Sequence, residues 1–210
     1  RFGRRLLAIP YGAHLPDPGT HALLKDLALK PGCYILFVGR LVPENNAHVL
    51  VDAYRQLDTE WPLVVVGDAP YANDYIRRLK QSAGDRVIFP GYVFDDGYAE
   101  LVHNCGVMCV PTEVGGTHPV IIEAMAAGAT LVVSDHAPNL EVLGNTGCSF
   151  SLSDAPASLA DVLARITSDP ALSMQLGQAA AARAAEQFSW NRCAARYLAI
   201  ADAITRLPKA

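Results

Sequence analysis

The chain of 210 residues is 51% hydrophobic and 18% charged, so it can bury a full core and is not an intrinsically disordered protein. Its formal net charge is −4, without any block of like charges, which argues against a nucleic-acid partner. No apolar run approaches the roughly 20 residues that a membrane-spanning helix needs.

The cysteines indicate a reducing compartment. There are five of them, an odd number, and no two are spaced as C-x-x-C. Neither a disulfide framework nor a zinc site is therefore indicated. We expect reduced, mostly buried cysteines and a cytoplasmic protein.

The N-terminal segment is predicted to be a linker. Residues 5–9 could form a short strand, and the prolines and glycines that follow extend an irregular stretch to Thr20. A chain that begins in this way looks like the continuation of an earlier domain. We therefore expect residues 1–20 to connect this domain to another part of a longer protein.

From residue 20 onward, short apolar runs alternate with helical patterns. Strands are predicted over 34–38, 63–66, 87–89, 107–110, 130–133 and 148–150. Helices are predicted over 20–29, 46–57, 73–83 (capped by Asn73 or Asp74), 95–103, 119–127, 139–143, 158–167, 170–188 and 190–207. This order predicts an α/β fold, with a Rossmann-like parallel sheet of about six strands and helices on both faces over 21–188. The segment 189–210 is predicted to be a C-terminal helix.

The most informative segment is 106–128, GVMCVPTEVGGTHPVIIEAMAAG. A buried strand is followed by a loop containing Gly115 and Gly116, and then by a helix that begins at Pro119 and ends before Gly128. This order aims free backbone N–H groups at an anion. Glu123 lies one turn inside the helix, so its carboxylate is expected to face the loop. The alternative interpretation is a tight glycine turn followed by a solvated glutamate.

Ligands of parallel sheets bind at the carboxyl ends of the strands. The loops predicted at that edge hold Arg40, Asp68, the two glycines and His118. Their convergence predicts a ligand site, whereas each side chain taken alone could be a surface ion pair or a helix cap.

Several motifs together resemble one known family: PYGA at 10–13, FVGRLVPENNAHVLVDAY at 37–54, VVVGDAP at 64–70, VIFPGYV at 87–93 and EVGGTHPVIIEAMAAG at 113–128. They are similar to the C-terminal, donor-binding domain of retaining glycosyltransferases with the GT-B fold, in the group 1 family GT4. The GGTHP variant resembles a bacterial, rhamnosyltransferase-like branch. The resemblance implies that PYGA is the interdomain hinge and that the last helix crosses to an N-terminal domain.

The resemblance also implies a nucleotide-diphosphate sugar as donor, with no metal and no other cofactor. Arg40 would pair with the diphosphate, and Glu123 would accept hydrogen bonds from the ribose. The other implied donor contacts are Gly39 and Asn45, backbone groups of Tyr92 and Val93 near the base, the Gly115 and Gly116 loop, and N–H groups of Thr117 and His118 at the phosphate. Catalysis would rest on Arg40, Glu123 and the acid Glu113.

Two positions depart from the family pattern. The family usually has a lysine five residues after the arginine, and this chain has Asn45 there. The family usually has an acid eight residues before the helix glutamate, where this chain has Gly115, and Glu113 is the nearest acid. A catalytically weakened or inactive binding module is therefore the alternative function. A dinucleotide-dependent oxidoreductase is disfavoured, because the first strand is not followed by G-x-G-x-x-G.

The expected partners follow from the resemblance. They are the nucleotide sugar, the N-terminal acceptor domain of the same protein, and a glycan or lipid acceptor. A peripheral contact with the inner face of the membrane would run through that N-terminal domain.

Overall fold

The computed structural model of the protein describes residues 9–206. Six strands lie in this range: β1 (Ile35–Val38), β2 (Leu63–Val66), β3 (Val87–Gly91), β4 (Val107–Val110), β5 (Leu131–Ser134) and β6 (Cys148–Phe150). The α-helices of the same range are α1 (Ala22–Asp26), α2 (Ala47–Tyr54), α3 (Asn73–Ser82), α4 (Asp95–Asn104), α5 (Pro119–Ala126), α6 (Ala137–Leu143), α7 (Ala157–Ser168), α8 (Pro170–Gln187) and α9 (Trp190–Thr205).

All strand pairs are parallel, and the order across the sheet is β3-β2-β1-β4-β5-β6. In the central register, Ile35 of β1 lies opposite Leu63 of β2 and Val107 of β4. Strands β2, β4 and β5 are buried throughout, as expected for apolar runs covered on both faces. The predicted α/β, Rossmann-like sheet with six strands is confirmed.

Two hydrophobic layers cover the sheet. Leu36 of β1 belongs to the layer formed with α1, α4, α5, α6 and α8. Its neighbours Ile35 and Phe37 belong to the opposite layer, formed with α2, α3 and α7. Burial of each such large side chain stabilises the fold by about 1.5–3 kcal/mol. The alternation along β1 therefore places α2 and α5 on opposite faces of the sheet.

Most predicted helix ends and several strand ends are wrong by one or more residues. The helices predicted over 20–29 and 46–57 are observed as Ala22–Asp26 and Ala47–Tyr54, and the helix predicted over 139–143 begins at Ala137. The fifth strand is Leu131–Ser134; Thr130 precedes it, with its carbonyl accepting from the N–H of Met108 in β4 at 2.8 Å and its hydroxyl donating to the backbone oxygen of Ser173 at 2.6 Å. Neither Asn73 nor Asp74 caps α3, because Ala72 is its N-cap residue and no side chain caps it. The predicted strand over 5–9 and the predicted end of the last helix at residue 207 fall largely outside the described residues.

Helix α5 packs closely against α8. Gly128 follows the end of α5 with φ of 76°, a left-handed conformation that glycine adopts without strain, which confirms the predicted glycine terminus. A Cβ atom added to Gly177 of α8 would lie 2.2 Å from the backbone oxygen of Gly128. The absence of a side chain at Gly177 therefore allows the two backbones to touch and fixes the position of α5.

The predicted linker runs along α8 and α9. Ala13 donates its backbone N–H to the carbonyl of Phe188 at 2.8 Å, and a Cβ atom on Gly12 would meet the backbone nitrogen of Trp190 at 2.5 Å. Helix α9 buries only Cys193 of its own residues and exposes several large apolar side chains, Trp190, Tyr197, Leu198 and Ile204. The division into linker, sheet domain and crossing helix stays a prediction. Within residues 9–206, no helix has both the length and the apolar character needed to cross a membrane.

Candidate active site

The site lies where the order of the strands across the sheet reverses, between β1 and β4. Strands β1 and β4 are neighbours, but β1 leads to α2 on one face and β4 leads to α5 on the other. Chains that leave adjacent strands in opposite directions open a crevice at the carboxyl ends of those strands. A cavity of about 470 Å³ occupies this crevice. Its walls come from β1 and its loop, the start of α4, the loop after β4 and the first turns of α5.

A polar bridge joins the two loops at the floor of the cavity. The Nδ2 group of Asn45 donates to the backbone oxygen of Arg40 at 2.9 Å, and its Oδ1 accepts from the hydroxyl of Thr112 at 3.2 Å. Thr112 is buried, and its own carbonyl accepts hydrogen bonds from Ser134 Oγ and Asn139 Nδ2. The bridge therefore holds the loop after β1 against the loop after β4.

A carboxylate faces the cavity from α5. Glu123 lines the cavity together with Tyr98 of α4, whose hydroxyl donates to Glu123 Oε2 at 2.7 Å. Burial raises the pKa of Tyr98 well above its usual value, and the hydrogen bond and negative charge of Glu123 raise that pKa further. Tyr98 is therefore a protonated donor throughout the physiological range of pH.

The glycine loop before α5 presents unbonded N–H groups. Gly115 has φ of 94°, a left-handed conformation suited to glycine. Among the described residues there is no hydrogen-bond acceptor for the N–H groups of Gly116, Thr117 and His118, the last of which is the N-cap residue of α5. Donors at the start of a helix favour an anion, by about 0.3–1 kcal/mol near the surface. The loop can thus bind a phosphate group.

Two histidines hold this loop in place. The Nε2 atom of His118 lies 3.0 Å from the carbonyl oxygen of Val114, and that of His136 lies 3.0 Å from the carbonyl oxygen of Gly115. Burial lowers the pKa of His118, and the nearby His136 lowers it too, whereas the hydrogen bond to Val114 acts in the opposite direction. His118 is therefore neutral at neutral pH and fixes the loop as a hydrogen-bond partner.

Aromatic side chains stand at the opening of the cavity. Phe94 lines the cavity and stacks on Tyr92, with ring centroids 5.6 Å apart and planes inclined by 19°. Both rings are largely exposed. Such rings offer a flat apolar surface on which a planar base can stack.

With this geometry established, comparison with known proteins identifies the family. Residues 32–169 match the family described as Glycosyl transferases group 1.

The chain belongs to this family.

Named relatives agree with the assignment to group 1. The chain is 28% identical over 167 residues to O-antigen chain mannosyltransferase B of Escherichia coli, covering 76% of this chain and 43% of that protein. It is 30% identical over 192 residues to the serotype-specific mannosyltransferase WbdA of Escherichia coli, covering 88% of this chain and 23% of that protein. The chain thus spans less than half the length of either relative.

Solved structures share the fold of this group 1 chain. The crystal structure of Anabaena HepE superposes with a TM-score of 0.78 at 21% identity, covering 94% of this chain and 54% of that one. At this identity the likeness concerns the fold alone. It agrees with the six-stranded parallel sheet described above.

The structure brings about half of the predicted site residues together in the wall of the cavity. The cavity is lined by Gly39, Asn45, Val93, His118 and Glu123. The remaining predicted residues, Arg40, Tyr92, Glu113, Gly115, Gly116 and Thr117, lie at the same edge of the sheet but do not line the cavity.

Two of the residues outside the cavity wall carry charge. The exposed guanidinium of Arg40 lies with Nη1 3.5 Å from the hydroxyl of Tyr71. Glu113 is also exposed, and its backbone N–H donates to the carbonyl of Glu44 at 3.3 Å. Their assigned roles in donor binding and catalysis stay predictions.

Sequence reasoning missed Tyr98 and Thr112. Tyr98 lies in the first turn of a helix that begins at the carboxyl edge of the sheet, which is the same positional signal that identified Glu123. Thr112 is the second residue after β4, and it lies between the apolar strand and the two glycines that the motif analysis singled out. Position relative to the strand end places both at the carboxyl edge of the sheet, whereas the pairing of Tyr98 with Glu123 depends on how α4 and α5 pack.

Proposed function

We propose that this chain is the donor-binding, C-terminal domain of a GT-B glycosyltransferase and that its cavity binds a nucleotide-diphosphate sugar. The observation that carries the proposal is the cavity at the β1–β4 crevice, which Glu123 lines from α5 and beside which the loop before α5 presents unbonded N–H groups. A carboxylate suits the hydroxyls of a ribose, and N–H groups suit a phosphate.

In this proposal the donor lies across the carboxyl ends of β1 and β4. The base stacks near Phe94 and contacts backbone groups near Tyr92 and Val93, and the ribose binds Glu123. The diphosphate binds the N–H groups of Thr117 and His118, and the exposed side chain of Arg40 closes over it from the side of β1.

Transfer breaks the bond between the anomeric carbon of the sugar and the diphosphate oxygen, and the bonding electrons stay with the diphosphate. The hydroxyl of an acceptor bound at an N-terminal domain forms the new bond to the anomeric carbon, and its proton passes to the departing diphosphate. N–H groups and Arg40, fixed around the leaving diphosphate, lower the barrier by stabilising its charge. Glu113 reaches the sugar from the glycine loop. We propose retention of configuration, independence of metal ions, and a glycan or lipid acceptor at the cytoplasmic face of the membrane.

A second candidate function is a donor-binding module with weak or absent turnover. Asn45 favours it, because an uncharged amide stands where the family usually has a lysine, and that amide is already engaged with Arg40 and Thr112. Loss of one cation would weaken the attraction for a diphosphate without removing the cavity.

Isothermal titration calorimetry with UDP, GDP and dTDP tests the proposal. UDP belongs in the panel because the structure of HepE, which has this fold, contains UDP and glucose. At least one nucleotide is expected to bind the wild-type chain with a dissociation constant in the micromolar to millimolar range, and Glu123→Ala is expected to weaken that binding about tenfold, by about 1.4 kcal/mol. Absence of heat from all three nucleotides at millimolar concentration contradicts the proposal.

A further inference from the structure

The pair formed by Tyr98 and Glu123 is built into the cavity wall. Tyr98 comes from α4 and Glu123 from α5, two helices that leave the sheet after different strands. The phenol oxygen and Glu123 Oε2 are 2.7 Å apart, the usual length of a hydrogen bond donated by a hydroxyl. Both side chains line the cavity, so the hydrogen bond lies at the surface that a ligand would touch.

The direction of this hydrogen bond is fixed. Burial and the adjacent carboxylate both hold the pKa of Tyr98 above its usual value, so the phenol keeps its proton and donates. Glu123 Oε2 therefore already accepts one hydrogen bond. Among the described residues no donor reaches the other oxygen, Oε1, which stays available to a ligand.

A carboxylate on a long side chain gains selectivity when its orientation is fixed before the ligand arrives. Without a partner, the side chain of Glu123 would have to give up rotational freedom on binding, a cost that weakens the affinity for the ligand. A phenol donor at Oε2 removes much of that cost, because it holds the carboxylate plane toward the cavity. The ligand groups that benefit are hydroxyls at Oε1, which donate to the carboxylate.

We propose that Tyr98 is a positioning residue that orients Glu123 and thereby makes the site select ribonucleoside diphosphates over their deoxyribose counterparts. This inference rests on the proposed function, because it requires the ribose to bind at Glu123. It concerns a residue that the sequence motifs did not indicate. It predicts one effect of that residue, which is discrimination between ribose and deoxyribose in the nucleotide.

The test compares ribose with deoxyribose in the wild-type chain and in Tyr98→Phe. Calorimetry is carried out with UDP and with its 2′-deoxy and 3′-deoxy analogues, and likewise with GDP. The wild-type chain is expected to bind the ribonucleotide at least fivefold more tightly than one of its deoxy analogues. In Tyr98→Phe this ratio falls to within about twofold, since affinity for the ribonucleotide drops while affinity for that deoxy analogue stays the same.

A matched control separates positioning from general stability. Tyr54 is buried and also donates its hydroxyl in a hydrogen bond, to the backbone oxygen of Trp61 at 2.8 Å, but it does not line the cavity. Tyr54→Phe is expected to keep the full ribose preference even if its midpoint of thermal unfolding falls. If Tyr98→Phe does not fold at room temperature, the same comparison is made with that variant at lower temperature. Glu123→Gln, which keeps the shape of the side chain, is expected to reduce the preference independently.

The possible results distinguish this inference from the function on which it rests. If no nucleotide binds the wild-type chain, the proposed function fails. If nucleotides bind but ribose and deoxyribose forms bind equally, or if Tyr98→Phe keeps the wild-type ratio, the inference is overturned and the proposed function stands.

Discussion

The Oδ1 atom of Asn45 accepts a hydrogen bond from the hydroxyl of Thr112 at 3.2 Å, which links the loop after β1 to the loop after β4. Because these loops line the cavity, Asn45 has a structural role, at the position where the resemblance implies a lysine. Its Nδ2 group donates to the backbone of Arg40 and completes the bridge. Asn45 therefore has two consequences: this position lacks the positive charge of the implied lysine, and it holds the two loops together by hydrogen bonds.

Asn45→Lys separates these two consequences. The new ammonium group is expected to raise affinity for UDP or GDP about tenfold, by about 1.4 kcal/mol, because it adds a positive charge beside the diphosphate. The same change is expected to lower the free energy of unfolding by about 1 kcal/mol, because the hydrogen bonds to Arg40 and Thr112 are lost. Calorimetry and urea denaturation measure the two effects.

Asn45→Ala is the control for that variant. It removes the bridge without adding charge, so it should lose stability and gain no affinity. Unchanged nucleotide affinity in a folded Asn45→Lys chain would favour the alternative of a binding module whose loss of function extends beyond this position.

Phe94→Ala tests the contact with the base. If a base stacks on the Phe94 ring, the variant is expected to bind UDP about fivefold more weakly, by about 1 kcal/mol, and to bind inorganic pyrophosphate as the wild type does. Tyr197→Ala, which removes an exposed aromatic ring from α9, is the control and should change neither affinity. Equal weakening for UDP and pyrophosphate in Phe94→Ala would mean that the ring supports the loop rather than the base.

Gly177→Ala tests the contact between α5 and α8. The added Cβ atom would lie 2.2 Å from the backbone oxygen of Gly128, so the helices must separate. The free energy of unfolding is expected to fall by about 1–3 kcal/mol, as measured by urea denaturation. Gly84→Ala is the control, because a Cβ atom there meets nothing within 4 Å. A Gly177→Ala chain as stable as wild type would show that this close approach is not needed.

The histidine of the glycine loop makes stability depend on pH. Burial lowers the pKa of His118 below the ordinary value of 6.5, so the unfolded chain takes up the proton first as pH falls. The contribution of His118 to the free energy of unfolding is therefore constant above about pH 6.5. It becomes increasingly destabilising as pH falls from there to the lower pKa that His118 has in the folded chain. Below that folded pKa the penalty no longer grows.

His118→Gln is expected to reduce this loss of stability, since glutamine keeps a hydrogen-bond donor for Val114 and does not titrate. The measurement is urea denaturation at neutral pH and at pH values below the range of histidine titration. His21→Gln, at an exposed position of the chain away from the cavity, is the control. The same pH dependence in His118→Gln and in the wild type would contradict the assignment.

Much of the fold could be predicted because its strands are plain apolar runs. The predicted bounds of Leu63–Val66 and Val107–Val110 match the observed ones, since buried parallel strands need no alternation. The bounds of the partly exposed edge strand Cys148–Phe150 also match. The hydrogen bond from the Thr130 hydroxyl to Ser173 of α8, 43 residues later in the chain, is a tertiary contact that the local pattern does not contain.

The candidate site was predicted only in part, for a related reason. Glu123 could be predicted because helical geometry fixes its direction relative to the loop before it. The orientation of Arg40 depends on a flexible side chain and on Tyr71, which lies 31 residues later in the chain. Tyr98 looks like an ordinary core aromatic in an amphipathic helix until α4 and α5 are placed side by side.

The central claim is that the β1–β4 crevice binds a nucleotide diphosphate, and an NMR titration of backbone amide signals with UDP and GDP tests it most directly. The account predicts that the largest shift changes fall on the cavity wall and the start of α5, at Gly39, Gly116, Thr117, His118 and Glu123. Changes confined to the opposite edge of the sheet, or no changes at saturating nucleotide, would contradict it.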